Sequence, residues 1–314
     1  SAMKTALCDV LGIEYPLIQG AMAHISDGAF AGTVSEAGAL GVIQSGFDTP
    51  EVVRGQIAIA RSKTDKPFAV NLIMESKCVE DVARAVIDER VPAVTVSAGN
   101  PAKIVPMLVE AGITTMCLVP HARAAKKMQD LGASAIVAEG IEGGGHIGKQ
   151  TTMPMVRQIA EAVDIPVIAA GGIADGRGFV AALALGAVGV QMGTAFLVAE
   201  ECPVDEAYKQ LIIDADDAST TLTGEPGKKQ VRCLQNPFTR GYWELYDRGA
   251  SSEELDAYCT GSIGRAKAGD IERGAFSAGM ISGLIKEKKP VAAIVRDVMA
   301  QADATMEELK RLYG

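Results

Sequence analysis

The sequence lacks most features of secreted, membrane-spanning or metal-binding proteins. Its six cysteines are scattered without a CxxC pair, unlike a disulfide framework or a structural zinc site. No segment approaches the roughly 18 consecutive apolar residues of a membrane-spanning helix, and the first residues lack a signal-peptide pattern. We therefore expect a cytoplasmic protein with reduced thiols, no metal site and no membrane segment.

Basic sequence is also scarce. The 30 lysines and arginines are outnumbered by 39 acidic residues, and the net charge is −9. The most basic run, residues 286–289 (KEKK), contains a glutamate. Binding to nucleic acid or to an anionic membrane is therefore not expected, and an anionic substrate would need a local basic patch.

The predicted fold is an α/β barrel. Ser1 and Ala2 before Met3 are typical of a cloning remnant and are left out of the prediction. In the first 200 residues, short apolar runs alternate with alanine-rich helical segments, which is typical of parallel strands buried on both faces. Eight such runs predict a TIM (β/α)8 barrel, with a doubly wound open sheet as the alternative. The predicted strands are 16–19, 40–44, 68–72, 93–96, 115–119, 135–138, 167–170 and 188–192.

The segment 200–270 differs in character from the rest of the chain. It is charged, helix-like and poor in strand signals, so we interpret it as an inserted, mainly helical lid that contacts substrate. The barrel domain would then comprise residues 3–199 and 271–314. The only tryptophan, Trp243, lies in this segment, and packing of the lid is favoured over substrate contact because buried aromatics usually fill cores.

Glycines and small polar residues follow the predicted strands. Barrel enzymes place their chemistry at these carboxyl ends, and the loops after strands seven and eight commonly hold a phosphate. Gly172, Gly193 and Thr194 would form that phosphate site; the alternative is that the glycines only relieve crowding in tight turns. The predicted cofactor-binding residues are Gly20, Ala21, Met22, Asn71, Ser97, Glu139, Gly145, Gly171, Gly172, Gln191, Gly193 and Thr194.

His146 is the candidate catalytic residue. It follows strand six within a glycine run, and glycines allow a planar ligand to approach the imidazole closely. The alternative is a flexible turn with a solvated histidine. Of the two other histidines, His121 is expected to begin a helix, and His24 is the second candidate for the site.

Four segments together resemble one enzyme family. They are residues 15–22 (YPLIQGAM), 65–71 (DKPFAVN), 139–148 (EGIEGGGHIG) and 168–173 (IAAGGI). Their order is similar to that in the FMN-dependent enoyl-acyl carrier protein reductase II and nitronate monooxygenase (2-nitropropane dioxygenase) family. The resemblance covers nearly the whole chain and implies a TIM barrel that holds FMN, with His146 at the position of the catalytic histidine.

The resemblance also implies an activity. We favour an enoyl-acyl carrier protein reductase in which NADH or NADPH reduces FMN and the flavin passes hydride to a trans-2-enoyl thioester. Nitronate monooxygenase is the alternative, and a non-catalytic flavin-binding module is a further one. Inosine monophosphate dehydrogenase-like barrels need a catalytic cysteine after strand six, and that loop contains none. The expected partners are an acyl carrier protein and a second copy of the chain in a homodimer.

Overall fold

A computed structural model describes residues 3–314, so Ser1 and Ala2 lie outside the described residues. All eight predicted strands are present, with ends that differ from the prediction by no more than two residues. Three further short strands, β7, β10 and β11, were not predicted. The strands are β1 Leu17–Gln19, β2 Val42–Gln44, β3 Ala69–Ile73, β4 Ala93–Ser97, β5 Thr114–Leu118, β6 Ala135–Glu139, β7 Gly145–Ile147, β8 Val167–Ala170, β9 Gly189–Met192, β10 Thr220–Thr223 and β11 Gln230–Leu234.

Eight of these strands form one parallel sheet that closes into a barrel. Their order is β1-β9-β8-β6-β5-β4-β3-β2. The ring closes where Ile18 pairs in parallel with Leu40, just before β2. There Gln19 N donates to Leu40 O, and Leu40 N donates to Leu17 O, each at 2.9 Å. This closure confirms the TIM barrel and makes the open-sheet alternative wrong.

Helices cover the outside of the barrel. Helix α14 packs against α8 and α2 and so completes the outer wall. No described helix is long and apolar enough to cross a membrane. The α-helices are α1 Ala6–Leu11, α2 Gly28–Glu36, α3 Pro50–Lys63, α4 Val79–Asp88, α5 Val105–Glu110, α6 Ala122–Asp130, α7 Thr152–Ala162, α8 Gly176–Ala184, α9 Thr194–Leu197, α10 Glu206–Ile213, α11 Pro237–Asp247, α12 Ser252–Cys259, α13 Ser262–Lys267 and α14 Val291–Tyr313. Two 3-10 helices span Pro101–Lys103 and Met280–Leu284.

Most barrel strands are buried along their length, and several of them become partly exposed at their carboxyl ends. Strands β3, β4 and β6 each have four fully buried residues followed by one partly exposed residue. Leu7 of α1 belongs to the apolar cluster that fills the barrel interior. Each such buried leucine stabilises the fold by about 1.5–3 kcal/mol. The apolar runs therefore build the wall, and their last residues are left to line a site.

The lid contains a β-hairpin as well as helices. Strands β10 and β11 are antiparallel, and β11 also pairs with β7, which follows β6. The lid is mainly helical, as predicted, but the sequence analysis did not predict this hairpin. The pairing of β11 with β7 has no local signal, because β7 lies before α7, far from the lid in sequence. The start of the segment, including Tyr208 and Ile212, packs into the main core. The proposed domain boundaries stay a prediction.

Trp243 packs inside the lid. Its indole Nε1 donates to Leu222 O at 2.9 Å, and its ring meets Tyr242 and Tyr246 edge to face. Helix α11 is thereby held on strand β10. These contacts favour the packing interpretation of Trp243 over substrate contact.

Candidate active site

A cavity of about 1520 Å³ opens at the carboxyl ends of the barrel strands, beneath the lid. Every cofactor-binding residue predicted from the sequence lines its wall, together with His146, His24 and His121. The residues come from all around the barrel, and closure of the ring brings them together. Their individual roles stay predictions.

Backbone donors face the cavity at the ends of β8 and β9. The N–H groups of Gly172 and Gly193 donate to no acceptor in the described part of the chain. A Cβ placed on Gly193 would meet only the Met22 sulfur, at 4.0 Å, so a side chain there would extend into open space. Unpaired N–H groups beside a helix start are suited to an anion such as a phosphate.

The side chain of Thr194 makes a hydrogen bond within the protein, a role that the sequence analysis did not predict. Its Oγ1 accepts a hydrogen bond from Gly279 N at 2.9 Å, which ties the start of α9 to the loop before the 3-10 helix Met280–Leu284. The hydroxyl hydrogen can still be donated, because a threonine hydroxyl donates one bond and accepts two. Thr194 therefore joins the cavity wall to the segment that follows the lid.

The amide of Asn71 is oriented by its neighbours. Its Oδ1 accepts hydrogen bonds from Thr95 Oγ1 at 2.8 Å and Ser97 Oγ at 3.2 Å. With the oxygen occupied by two hydroxyl donors, the assignment of oxygen and nitrogen follows from the network. The Nδ2 group has no acceptor among the described residues and is left to donate to a ligand.

Gly20 makes room for Gln191. A Cβ on Gly20 would lie 3.1 Å from both Cδ and Nε2 of the Gln191 side chain. The absence of a side chain at residue 20 lets the Gln191 amide lie across the end of β1. Both residues line the cavity, as the sequence predicted.

The carboxyl group of Glu139 is the one acidic side chain on the cavity wall. It ends β6, and it has no hydrogen-bond or ion-pair partner within residues 3–314. Burial raises its pKa to about 7, because removal from water penalises the charged form. At neutral pH this group therefore exists in both its protonated and its ionised form.

His146 lies on a strand, not in a free loop. It pairs with Val231 of β11 in the small antiparallel sheet, so the lid hairpin positions the imidazole. Its side chain is open to the cavity and has no partner in the described chain. Partial burial lowers the pKa of His146, which favours the neutral imidazole. Residue 146 thus lies in a strand and not in a turn, while its side chain is exposed, as the alternative of a solvated histidine expected.

Two side chains that the sequence analysis missed hold this loop in place. Glu142 accepts hydrogen bonds from Thr152 N at 3.0 Å and Thr152 Oγ1 at 2.8 Å, which anchors the loop to the start of α7. Arg232 Nε donates to Ile141 O at 3.0 Å from the lid hairpin. No local pattern identifies Arg232, because its acceptor lies 91 residues away in sequence.

The other two histidines differ in role. His121 caps α6, with its Nδ1 accepting from Ala124 N at 3.1 Å, as expected of a residue that begins a helix. His24 has a positive φ of 63°, and its carbonyl accepts from Lys267 Nζ at 2.8 Å. Its exposed imidazole lines the cavity and stays the second candidate.

Several solved and curated proteins are similar to this chain. FabK of Thermotoga maritima is 42% identical with a TM-score of 0.95, over 98% of this chain and 99% of that one. A nitroalkane oxidase of Streptomyces ansochromogenes is 28% identical with a TM-score of 0.86, over 97% and 100%. A curated relative in Rhodococcus jostii, (3aS,4S,5R,7aS)-5-hydroxy-7a-methyl-1-oxo-octahydro-1H-indene-4-carboxyl-CoA dehydrogenase, is 34% identical over 71% of this chain. That match spans 63% of the relative's length.

The family model described as nitronate monooxygenase matches residues 4–86 and 79–301, which is nearly the whole chain. The match includes the barrel strands, the glycine run with His146 and the lid. The chain therefore belongs to the nitronate monooxygenase family, whose members are FMN-dependent oxidoreductases.

Proposed function

We propose that this protein is an FMN-dependent reductase of enoyl thioesters. The cavity has the parts that FMN needs: free backbone N–H groups at Gly172 and Gly193 for the phosphate, and the Asn71 amide as a further donor. Gly193 in particular forms a space that any Cβ would begin to fill. These residues fit the group and would hold it.

The observation that carries the proposal is the difference in similarity. Identity to FabK, the enoyl-acyl carrier protein reductase II, is 42% over 98% of the chain, against 28% to the nitroalkane oxidase. Both alignments include the lid, which covers the substrate side of the cavity. Higher similarity over the same length therefore favours the thioester as substrate.

The size of the cavity supports a large substrate. Pockets for one small ligand commonly enclose about 300–1,000 Å³, and this cavity of about 1520 Å³ exceeds that range. There is room for a flavin and for a second, elongated molecule. A nitroalkane of a few atoms would leave most of that second space empty.

The residues of the chain have separable tasks in such a reaction. The chemistry that bound FMN would supply is transfer of a hydride from a reduced nicotinamide to the β-carbon of the enoyl thioester, and the α-carbon would take up a proton. His146, kept neutral by its lowered pKa, donates its N–H to the thioester oxygen, where negative charge develops. Glu139, with a pKa of about 7, supplies the proton to the α-carbon.

One observation favours a second candidate function, oxidation of nitroalkanes or their nitronates. A neutral imidazole is also a competent base, and the lowered pKa of His146 leaves its free nitrogen able to take a proton from carbon. Oxygen would then be the final electron acceptor. This reaction uses the same histidine and flavin, so the two proposals differ in their substrate and in the partner that reduces or reoxidises the flavin.

The test is a pair of half-reactions followed by stopped-flow absorbance. The flavin-loaded protein is first reduced anaerobically by NADH or NADPH, and the reduced protein is then mixed with a crotonyl thioester. We expect the thioester to reoxidise the flavin with saturation. Rapid flavin reduction by a nitroalkane or its nitronate, with no reoxidation by the thioester, would reject the proposal in favour of the second candidate.

The remaining expectations belong to the same proposal. We propose NADH or NADPH as the reductant, an acyl carrier protein as the carrier of the thioester, a homodimer as the assembly and the cytoplasm as the location. Light scattering of the purified protein measures the assembly directly, and a monomeric mass would overturn the homodimer.

A further inference from the structure

The charge of the cavity wall is opposite to the charge of the protein. Acidic residues outnumber basic ones in the whole chain by 39 to 30. The cavity wall instead carries four basic side chains, Arg123, Lys127, Lys149 and Lys229, and the single carboxyl of Glu139. Lys229 is paired with Glu75 across the mouth. The other three cations have no acidic partner among residues 3–314.

These three cations lie on one side of the cavity mouth. Arg123 and Lys127 are four residues apart on α6, so they share a face of that helix. Lys149 lies in the loop between β7 and α7. The next residue, Gln150, donates from Nε2 to Pro120 O at 3.3 Å, which ties this loop to the segment just before α6. We call Arg123, Lys127 and Lys149 the basic wall.

The fold accounts for only one cation of the basic wall, Lys127, which lies in the last turn of α6, where a positive charge is favourable. All three side chains are exposed. Arg123 lies in the first turn of α6, where no acidic residue is present. A positive charge at a helix start is unfavourable by about 0.3–1 kcal/mol, because the backbone N–H groups there already carry partial positive charge. A ligand of negative charge would offset that cost.

The phosphate of FMN does not account for the basic wall. The free N–H groups proposed for that phosphate follow β8 and β9, whereas the residues of the basic wall follow β5 and β7. FMN has one phosphate, which the first site already accommodates. The basic wall is therefore left for a second anion that enters the same cavity.

We propose that the basic wall binds the phosphate at the end of the substrate's pantetheine arm. This inference rests on the proposed function, because it assumes a thioester substrate. In coenzyme A and in a carrier protein alike, a phosphate is attached to the pantetheine at the end remote from the thioester. The thioester would reach His146 on the cavity wall, while the phosphate stays with the exposed side chains of Arg123, Lys127 and Lys149.

The test compares thioesters that differ only in their phosphate. KM is measured for crotonyl-4′-phosphopantetheine and for phosphate-free crotonyl-pantetheine, with wild type and with the triple variant Arg123→Gln, Lys127→Gln, Lys149→Gln. We expect the increase in KM from wild type to the triple variant to be at least about tenfold larger for the phosphorylated thioester than for the phosphate-free one. Lys126→Gln is the matched control, since Lys126 is an exposed cation of α6 that does not line the cavity.

Salt gives a readout that a structural role would not change. For wild type, KM for the phosphorylated thioester should rise with ionic strength, and this dependence should be weak in the triple variant. Equal KM changes for both thioesters, no change for either, or a change confined to NADH or NADPH would overturn the inference.

Two further arms separate the possible failures. Crotonyl-coenzyme A is assayed in parallel. If the triple substitution raises KM equally for crotonyl-coenzyme A and for crotonyl-4′-phosphopantetheine, the result supports binding of the pantetheine phosphate. If KM rises for crotonyl-coenzyme A alone, the inference is overturned. Calorimetric binding of unreactive 4′-phosphopantetheine to the flavin-loaded protein needs no turnover. If wild type reduces no thioester, the proposed function fails, while lost phosphopantetheine binding in the triple variant would still support the basic wall.

Discussion

At the scale of single residues, burial moves the two titratable groups of the candidate reaction in opposite directions. The pKa of Glu139 rises to about 7 and that of His146 falls, because removal from water disfavours the carboxylate and the imidazolium alike. Each change favours the uncharged form. Near neutral pH the cavity thus holds Glu139 in both its protonated and its ionised form, together with an imidazole whose neutral form is favoured.

Glu139→Gln is expected to remove a pH dependence of stability from the flavin-free protein. The folded-state pKa of about 7 lies above the ordinary 4.5, so the unfolded chain releases this proton at a lower pH than the folded chain. The free energy of unfolding contributed by Glu139 therefore falls as pH rises from 4.5 to about 7, and stays constant above that. In Glu139→Gln this loss disappears.

Urea denaturation at several pH values measures the effect. The stability difference between Glu139→Gln and wild type should grow in favour of the variant by about 1–3 kcal/mol across that window. Comparison with wild type cancels the contributions of His146 and the other cavity groups. Exposed Glu110 on α5 provides the control substitution, Glu110→Gln. Equal slopes in all three proteins would contradict the raised pKa.

His146→Ala separates a catalytic role from a flavin-holding one. The imidazole makes no hydrogen bond in the described chain, and the backbone pairing with Val231 does not need the side chain, so the variant should fold and keep FMN. Flavin reduction by NADH or NADPH should stay within a few fold of wild type. Reoxidation by a crotonyl thioester should slow by roughly 10²–10³, the usual effect of losing one hydrogen-bond donor to a developing oxyanion. Similar losses in both half-reactions would instead identify His146 as a flavin-holding residue.

Gly193→Val is expected to lower flavin occupancy more than stability. Residue 193 has an ordinary φ of −115°, and the nearest atom to an added Cβ is 4.0 Å away, so the fold can accommodate the side chain. Valine would instead occupy the space in front of the free N–H groups. Flavin content per chain and the melting temperature of the flavin-free form measure the two effects. A large drop in melting temperature with normal flavin content would support the tight-turn alternative.

At the scale of elements, the unexpected feature is the lid hairpin. Strand β11 pairs on one side with β10 and on the other with β7, so one element of the lid forms part of the sheet that carries His146. Arg232 of β11 reaches the backbone at Ile141, and Glu142 holds the same loop to α7. The lid therefore supports the candidate catalytic residue as well as covering the cavity.

Gly144→Ala and Gly148→Ala test how the glycine run is held. A Cβ on Gly144 would lie 2.6 Å from the backbone carbon of Ala278, whereas a Cβ on Gly148 meets nothing within 4 Å. Gly144→Ala should cost about 1–3 kcal/mol of stability, because the segment at Ala278 must move. Gly148→Ala should be nearly neutral. Thermal denaturation of the two variants measures the difference, and equal costs would show that contact with Ala278 is unimportant.

At the scale of the whole molecule, the cofactor is expected to be FMN and not FAD. The cavity has one set of free backbone donors at the ends of β8 and β9, and no GxGxxG follows β1 to hold a second phosphate and an adenosine. Flavin released by heat and identified by mass should be FMN. Recovery of FAD, or of no flavin from a folded protein, would contradict this assignment.

Much of this molecule could be read from local sequence. The eight apolar runs identified the barrel strands because strands buried on both faces have few polar residues anywhere along them. The residues after those runs were then grouped correctly on one cavity wall, because parallel strands in a barrel end on the same face. Residue spacing within each unit was enough to identify these strands and the residues after them, since each βα unit repeats the same local pattern.

Only the tertiary structure decided which segments that are distant in sequence come into contact. Strand β7 has three residues, and its partner β11 lies in the lid, so no local periodicity predicted that His146 would be in a sheet. The raised pKa of Glu139 and the grouping of Arg123 and Lys127 with Lys149 likewise depend on how the chain closes. Strand formation follows from the apolar pattern of a few consecutive residues, whereas burial and charge grouping depend on which segments pack together in space.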